Sequence, residues 1–294
     1  MSLSTGESGK PAWVFSRSKK LVDPVRVPCG RCVGCKLERA RQWAVRITHH
    51  ASTRELNCFL TLTYDEKHLP YGKTLYKCHL QKFLKRLRAK IAYDNPENPT
   101  PIEYFGCGEY GDEGARPHYH VIIFGIDFQD KKLYSIKNGN HLWTSEHLTK
   151  IWGKGFATIG TVTAESAAYC ARYTMKKVHG SKAAKHYTVI DPEMGEIHRR
   201  LGEFVLMSLK RPIGKTWLTT FKSDVYPSDF VVINGRKQKP PRYYDNQLSE
   251  DERTPLKETR KAFAKKSPDN TQARLDVREQ VKLAQIKQLK RDLQ

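Results

Sequence analysis

An α+β fold, with a central antiparallel sheet and helices packed on it, is predicted by three observations. Runs rich in β-formers alternate with segments of helical period. Two of those runs, Ile102 to Glu109 and Pro117 to Phe124, are close enough to form a hairpin. The second of them, PHYHVIIF, is apolar enough to be a central strand.

The elements follow in order. Residues 1–27 carry few apolar anchors and read as an extended or disordered arm. Pro28 to Cys35 (PCGRCVGC) is a tight knuckle leading into a basic helix, Lys36 to His50, with Leu37, Ala40, Ala44 and Ile47 on one face. Asn57 to Tyr64 (NCFLTLTY) reads as a strand. From Tyr76 to Tyr93 the period turns helical, with Leu80, Phe83, Leu84, Leu87 and Ile91 at i, i+3, i+4, i+7 and i+11. Asp94-Asn95-Pro96 ends it. The hairpin turns through Tyr110 to Arg116. His141 to Trp152 suggests a short helix and Phe156 to Val162 a strand. Thr163 to Lys177 suggests a helix capped by Thr163 or, more weakly, Ser166.

Beyond about residue 180 the pattern thins. Phe204 to Met207 fits a strand or a short helix, and Gly214 to Phe221 has a helical look. Phe230 to Lys237 resembles a strand running into an Asn234-Gly235 turn. Thr271 to Gln294 has good helix formers but only a thin apolar stripe. The expected divisions are a basic arm with knuckle and helix (1–54), a core (55–180), an extension of undefined fold (181–245) and a charged, partly disordered or helical tail (246–294).

Composition narrows the function. Of 294 residues 38% are apolar, and Lys plus Arg outnumber Asp plus Glu by 52 to 31, a formal charge of +21. Such a charge repels itself unless an anionic partner offsets it. Nucleic acid is the leading candidate and an anionic membrane the second. No apolar run approaches the roughly 20 residues that span a bilayer. Met1 to Lys10 has no apolar signal-peptide core, so an intracellular protein is expected. Seven cysteines, three of them in Cys29-x-x-Cys32-x-x-Cys35, suggest metal ligation rather than a secreted disulfide framework.

Two constellations carry chemistry. In a strand, His118 and His120 point to one face, with Tyr119 on the other. Glu109, near the hairpin turn, can reach the same spot. Two imidazoles and a carboxylate suit Mg²⁺ or Mn²⁺ beside phosphate oxygens. On a helix, Tyr169 and Tyr173 share a face, with Arg172, Lys176 and Lys177 near enough to hold phosphates. The bland alternatives are ordinary histidines on a half-buried strand and core tyrosines at helical spacing. The three knuckle cysteines fit one structural Zn²⁺, with His49, His50 or Cys58 as the fourth ligand. Their bland alternative is three reduced thiols at a turn. Because the histidine pair faces a site, its loss is expected to leave the fold largely intact.

Phe59-Leu60-Thr61-Leu62-Thr63-Tyr64-Asp65, then Arg116 to Gly125, then Tyr169-x-x-Arg172-Tyr173 resemble in order the three motifs of HUH endonucleases, the rolling-circle replication initiators. The cysteine-rich start and Gly108-Glu109-Tyr110-Gly111 look like the gokushovirus branch of the Microviridae, small phages with single-stranded DNA. The likeness covers roughly residues 28–180; together the motifs are specific, singly they are weak. It implies a split β-α-β sheet, metal ligation by His118, His120 and Glu109, and alternating nucleophiles Tyr169 and Tyr173. Arg116, Arg172, Lys176 and Lys177 would touch DNA phosphate. Many family members have lysine where this chain has Arg172; guanidinium keeps the charge but cannot hand on a proton.

The implied activity is nicking and joining at a phage origin in the host bacterial cytoplasm. The partners would be single-stranded and replicative-form DNA and host replication proteins, without a membrane. A two-tyrosine transposase or a relaxase would share the chemistry, although relaxases usually place the tyrosine motif ahead of the histidines. A non-catalytic zinc-knuckle DNA-binding protein is the alternative from another class. No GxxxxGK[ST] loop is present to suggest a built-in helicase.

Overall fold

The computed structural model describes residues 2–5, 11–14, 28–111, 114–137, 139–173, 178, 180–190 and 195–288. Within the predicted arm, β1 (Ser2–Thr5) and β2 (Pro11–Val14) form an antiparallel pair. Then come α1 (Val33–Ala51), β3 (Asn57–Thr63), α2 (Lys77–Asp94), β4 (Glu103–Tyr110) and β5 (Pro117–Phe124). They are followed by β6 (Lys132–Lys137), β7 (Asn140–Thr144), α3 (Glu146–Trp152), β8 (Ala157–Gly160) and α4 (Ala164–Arg172).

Seven strands make the main sheet once β11 (Phe204–Met207) is added, in the order β11-β4-β5-β3-β8-β7-β6. Every neighbouring pair is antiparallel. Both β3 and β4 are antiparallel to β5, which lies between them, so they run in the same direction and α2 carries the crossover. All eight residues of β5 are buried, as befits a central strand.

The strand period of two sorts side chains into two layers. Tyr119, Val121 and Ile123 of β5 pack with Leu60 and Leu62 of β3, Leu80, Phe83, Leu84 and Leu87 of α2, and Leu148 and Trp152 of α3. On the opposite face Ile122 and Phe124 pack with Phe59, Phe105 and Cys107, under Ile47 of α1 and Ala167, Tyr169 and Cys170 of α4. The sheet is therefore covered on both sides. Gly108 of β4 permits the edge strand to dock, since a Cβ there would lie 2.7 Å from the Phe204 ring.

Several expectations are corrected. His141 to Thr144 is strand, not helix; it pairs with β6 in a hairpin the sequence pattern did not suggest. The helix begins at Glu146, after Ser145, whose hydroxyl accepts from the Leu148 N–H at 3.0 Å. Phe204 to Met207 is strand because its register against Phe105 to Gly108 extends the sheet. The helix expected over Thr163 to Lys177 is described as α4 only, with Thr163 as its N-cap in a capping box with Ser166 and Tyr173 at its C-cap. Residues 174–177, and so Lys176 and Lys177, lie outside the described residues.

The C-terminal third continues with α5 (Ser181–Tyr187), the hairpin of β9 (Thr188–Ile190) and β10 (Ile197–Arg199), and α6 (Lys215–Val225). A second hairpin joins β12 (Val231–Ile233) to β13 (Arg236–Gln238), and Asn234 and Gly235 take φ 49° and 72° as a primed two-residue turn requires. The last helices are α7 (Arg242–Asp245), α8 (Glu250–Lys266) and α9 (Gln272–Lys287). No described helix is long and apolar enough to cross a membrane.

Candidate active site

The antiparallel register sets Glu109 of β4 directly opposite His118 of β5. His120, two residues on, points to the same face, and its partner across β3 is Thr61. The three side chains converge. Nε2 of His118 is 2.5 Å and Nε2 of His120 is 3.1 Å from one carboxylate oxygen of Glu109, and the candidate ligand atoms all lie within 4.8 Å of one another. All three residues are buried, His120 completely.

Hydrogen bonding tests whether a cation suits this set. A backbone carbonyl can only accept, so Nδ1 of His118, 3.1 Å from the Arg116 carbonyl, is the protonated nitrogen of a neutral ring. Its Nε2 then presents a lone pair to a carboxylate oxygen at 2.5 Å. Two acceptors that close need a proton or a cation between them. Thr61 Oγ1 lies 3.1 Å from Nδ1 of His120 and fixes that ring from behind, as outer partners of metal ligands do. The residues present therefore fit a divalent cation. Burial alone would raise the Glu109 pKa, but hydrogen bonds from His118 and His120 outweigh it and hold the carboxyl at about 2.

Both tyrosines reach this cluster. The His120 ring lies edge-on to Tyr169 at 5.2 Å and stacks on Tyr173 at 5.4 Å, and the tyrosine rings are 5.0 Å apart. Their hydroxyls are hydrogen-bonded to each other. Burial raises both phenol pKa values, and the negative charge of Glu109 adds to the rise, most for Tyr173. Neither phenol ionises readily in this state. The expectation that the histidines face a site rather than the core needs correction, because His120 also stacks on Phe59 and is core in packing terms.

The predicted cations are placed unequally. Arg116 binds Glu66 at 2.6 Å and the Tyr64 carbonyl at 2.7 Å. The Arg172 guanidinium lies 5.5 Å from the centre of the Tyr169 ring. Thr61, absent from the sequence-derived ligand set, had a signal: it lies two residues before Thr63 on the face that meets His120.

At the other end of α1 the cysteines meet in water. Sγ of Cys29 and Cys35 are 3.9 Å apart, and the Cys32 N–H donates to Sγ of Cys29 at 3.2 Å. Hydrogen bonds from the Cys32 and Arg31 backbones lower the Cys29 pKa to about 7. Cys29, Cys32 and Cys35 form a three-thiol cluster, which no other described His, Cys, Asp or Glu joins. The proposed fourth ligands are elsewhere. His49 stacks at 3.5 Å on Trp217, His50 lies edge-on to Phe124, and Cys58 is in the core.

Comparison with known proteins gives the wider context. The family described under Replication-associated protein ORF2 matches residues 57–178, which include every residue of the cluster. Replication-associated protein VP4 of Bdellovibrio phage phiMH2K is 37% identical over 223 residues, covering 74% of this chain and 66% of that protein. Replication-associated protein ORF2 of Spiroplasma virus 4 is 33% identical over 244 residues, covering 80% and 71%. Replication-associated protein ORF4 of Chlamydia phage 1 is 29% identical over 228 residues, covering 76% of this chain and about half, 53%, of that protein. No solved structure matches.

Proposed function

Because this chain belongs to the family of gokushovirus-type phage replication-associated proteins, we propose that it initiates rolling-circle replication by nicking one strand of the phage origin. The observation that carries this reading is the convergence of Glu109, His118 and His120 with Tyr169 and Tyr173 on one sheet face. The crossover of β3, α2 and β4 around β5 supports an HUH endonuclease of the split β-α-β type.

Glu109, His118 and His120 would hold a Mg²⁺ or Mn²⁺ ion. Bound there, such an ion supplies Lewis-acid polarisation of a phosphate oxygen and charge stabilisation for a developing phenolate. Thr61 and the Arg116 carbonyl keep the two imidazoles aimed. One tyrosine oxygen attacks phosphorus and gives up its proton. The bond from phosphorus to the 3′ oxygen breaks, and that oxygen takes a proton. The product is a 5′-phosphotyrosine and a free 3′-hydroxyl that primes synthesis. The diester energy is kept, so a later attack by a 3′-hydroxyl can close the displaced strand without ATP. The second tyrosine cuts the regenerated origin. Arg172, beside Tyr169, clamps phosphate, with Lys176 and Lys177 assigned the same task from sequence alone.

The chemistry is assigned to residues 55–180, flanked by the arm and knuckle (1–54), the extension (181–245) and the tail (246–294). The working partners are origin DNA, single-stranded or replicative-form, and host replication proteins in the bacterial cytoplasm. A charge of +21 supports a polyanionic partner. The test is incubation with a labelled single-stranded origin oligonucleotide and Mn²⁺, followed by a denaturing gel and peptide mapping. A covalent adduct should map to Tyr169 or Tyr173. Either single Tyr→Phe variant should still cut once but fail to recircularise, and the double variant should form no adduct. An adduct that persists in the double variant, on Tyr187 for example, overturns the two-tyrosine assignment. No adduct with the native chain would favour the non-catalytic zinc-knuckle reading.

A further inference from the structure

A second polar cluster lies on the same sheet face, at the opposite end of β4. Glu103 and Glu109 are six residues apart on that strand, so they point the same way about 20 Å from each other. Glu103 is buried under a cavity of about 300 Å³ bordered by His50, Arg54, Lys210, Arg211, Lys215 and Thr216.

The charges do not cancel. Arg54 pairs with Glu103 at 2.9 Å and Arg211 lies 3.7 Å from the same carboxylate. Lys210 and Lys215 have no carboxylate partner among the described residues. Four cations therefore face one carboxylate. Helix α6 begins here, with Gly214 as an N-cap that offers no side-chain cap. The Lys215 N–H bonds to the Pro212 carbonyl, which leaves those of Thr216 and Trp217 without an intrahelical acceptor. Orphan N–H groups and the helix dipole both favour an anion. On the floor His50 is 1% exposed, and neither ring nitrogen has a hydrogen-bond partner. Burial lowers its pKa to about 4, so the ring is neutral and offers one N–H. A buried polar ring without a partner is costly unless something fills the cavity.

An adjoining hollow of about 700 Å³ shares Glu103, Lys210 and Arg211 and is walled by Ile91, Pro101, Tyr104, Met207 and Leu209. A free phosphate ion has no use for that apolar wall, whereas a base next to a bound phosphate does. We propose that the cavity over Glu103, bordered by His50, Arg54, Lys210, Arg211, Lys215 and Thr216, is a phosphate-binding site for the DNA strand, remote from the nicking site. The role given to the strand rests on the nicking reading; the site itself does not. A strand engaging both places spans about 20 Å, about six nucleotides at the stacked spacing of 3.4 Å and fewer when extended.

The test measures binding of the full chain to fluorescent dT12 over a range of salt, without divalent metal. Lys210→Ala/Lys215→Ala removes two exposed cations from the rim and should fold normally. Its plot of log affinity against log salt should be shallower by about 0.7 to 1.4, the loss of one or two single-strand phosphate contacts. Lys82→Ala/Lys85→Ala, on the exposed side of α2, is the control and should change the slope less. Equal slopes for the rim variant and the native chain overturn the site, as does an equal loss in the control. A parallel arm adds inorganic phosphate alone. Thermal stabilisation of the native chain by phosphate, with no slope change for dT12, overturns the assignment to the strand. Nicking is read separately. A chain that shows the slope change but never nicks loses the nicking reading and keeps the site, and the converse result loses only the site.

Discussion

The histidine cluster and the cysteine cluster are both triads with metal-ligand spacing, yet they are held in opposite ways. Glu109, His118 and His120 are buried, aligned by sheet register and braced from outside by Thr61 and the Arg116 carbonyl. Cys29 and Cys32 are exposed and Cys35 is partly so, on a turn braced by one N–H from Cys32. In the first the fold positions the ligands; in the second a bound ion would have to position the turn. Pre-organised ligands suit chemistry, whereas ligands that need the ion suit a local staple. Helix α1 joins the two settings, because its first turn borders the cysteines and its last buries His49 and His50.

The largest expected effect is at the braced triad. Loss of an outer partner of a metal ligand already costs about 10–100-fold. His118→Gln should therefore lower nicking by more than about 100-fold while DNA binding persists, since binding rests on many phosphates. Thr61→Val should fall within the 10–100-fold range. His120→Ala should lose activity and also about 2 kcal/mol of stability, because the ring is wedged between Phe59 and Tyr173. Nicking rates and urea midpoints read both effects. Native activity in His118→Gln would sink the site, and a stable His120→Ala would contradict the packing contrast.

How much of this was legible depended on periodicity. Pro117 to Phe124 was readable because H-x-H alternation and an apolar run coincide on one buried strand, and Leu80 to Ile91 because five apolar residues hold a helical period. The β6–β7 hairpin was not, for it closes one edge of the sheet and exposes Leu133, Tyr134 and Ile136, so burial leaves no alternation to read. The residue types of the site were readable; the depth of Tyr169 and Tyr173 was not, because it comes from α4 lying on the sheet. The cavity over Glu103 was invisible in sequence, since it gathers side chains from α1, β4 and the turn before α6.

An intermediate effect tests the buried end of α1. His49 is stacked on Trp217, and its Nδ1 is 3.0 Å from the Tyr244 hydroxyl. Burial lowers its pKa from 6.5 to about 4. Between those values the unfolded chain binds the extra proton, so stability rises with pH there. The contribution is fully present above about pH 6.5 and is lost as pH falls towards 4, at a cost of ~3 kcal/mol. Denaturant midpoints measured from pH 7.5 to 4 should fall along that course. His49→Gln should flatten the curve by about one proton, and an unchanged curve would show that this end of the helix is not held by a neutral imidazole.

The smallest effect on stability belongs to the exposed triad. Three thiolates can hold Zn²⁺ while a fourth position goes to water or to a group outside the described residues. Freshly purified, reduced protein should contain about one tightly held zinc, distinct from the exchangeable ion at Glu109, His118 and His120. Cys29→Ser/Cys32→Ser/Cys35→Ser should lose that zinc. Its melting point should change little, because the turn contributes nothing to the core around Phe59 and Ile122. In the native chain the three thiols should resist iodoacetamide until the zinc is stripped and then react together, since the ion rather than the fold holds them. If native protein carries neither zinc nor iron and the thiols react at once, the knuckle is an ordinary turn. The contrast would then be between one metal site and none.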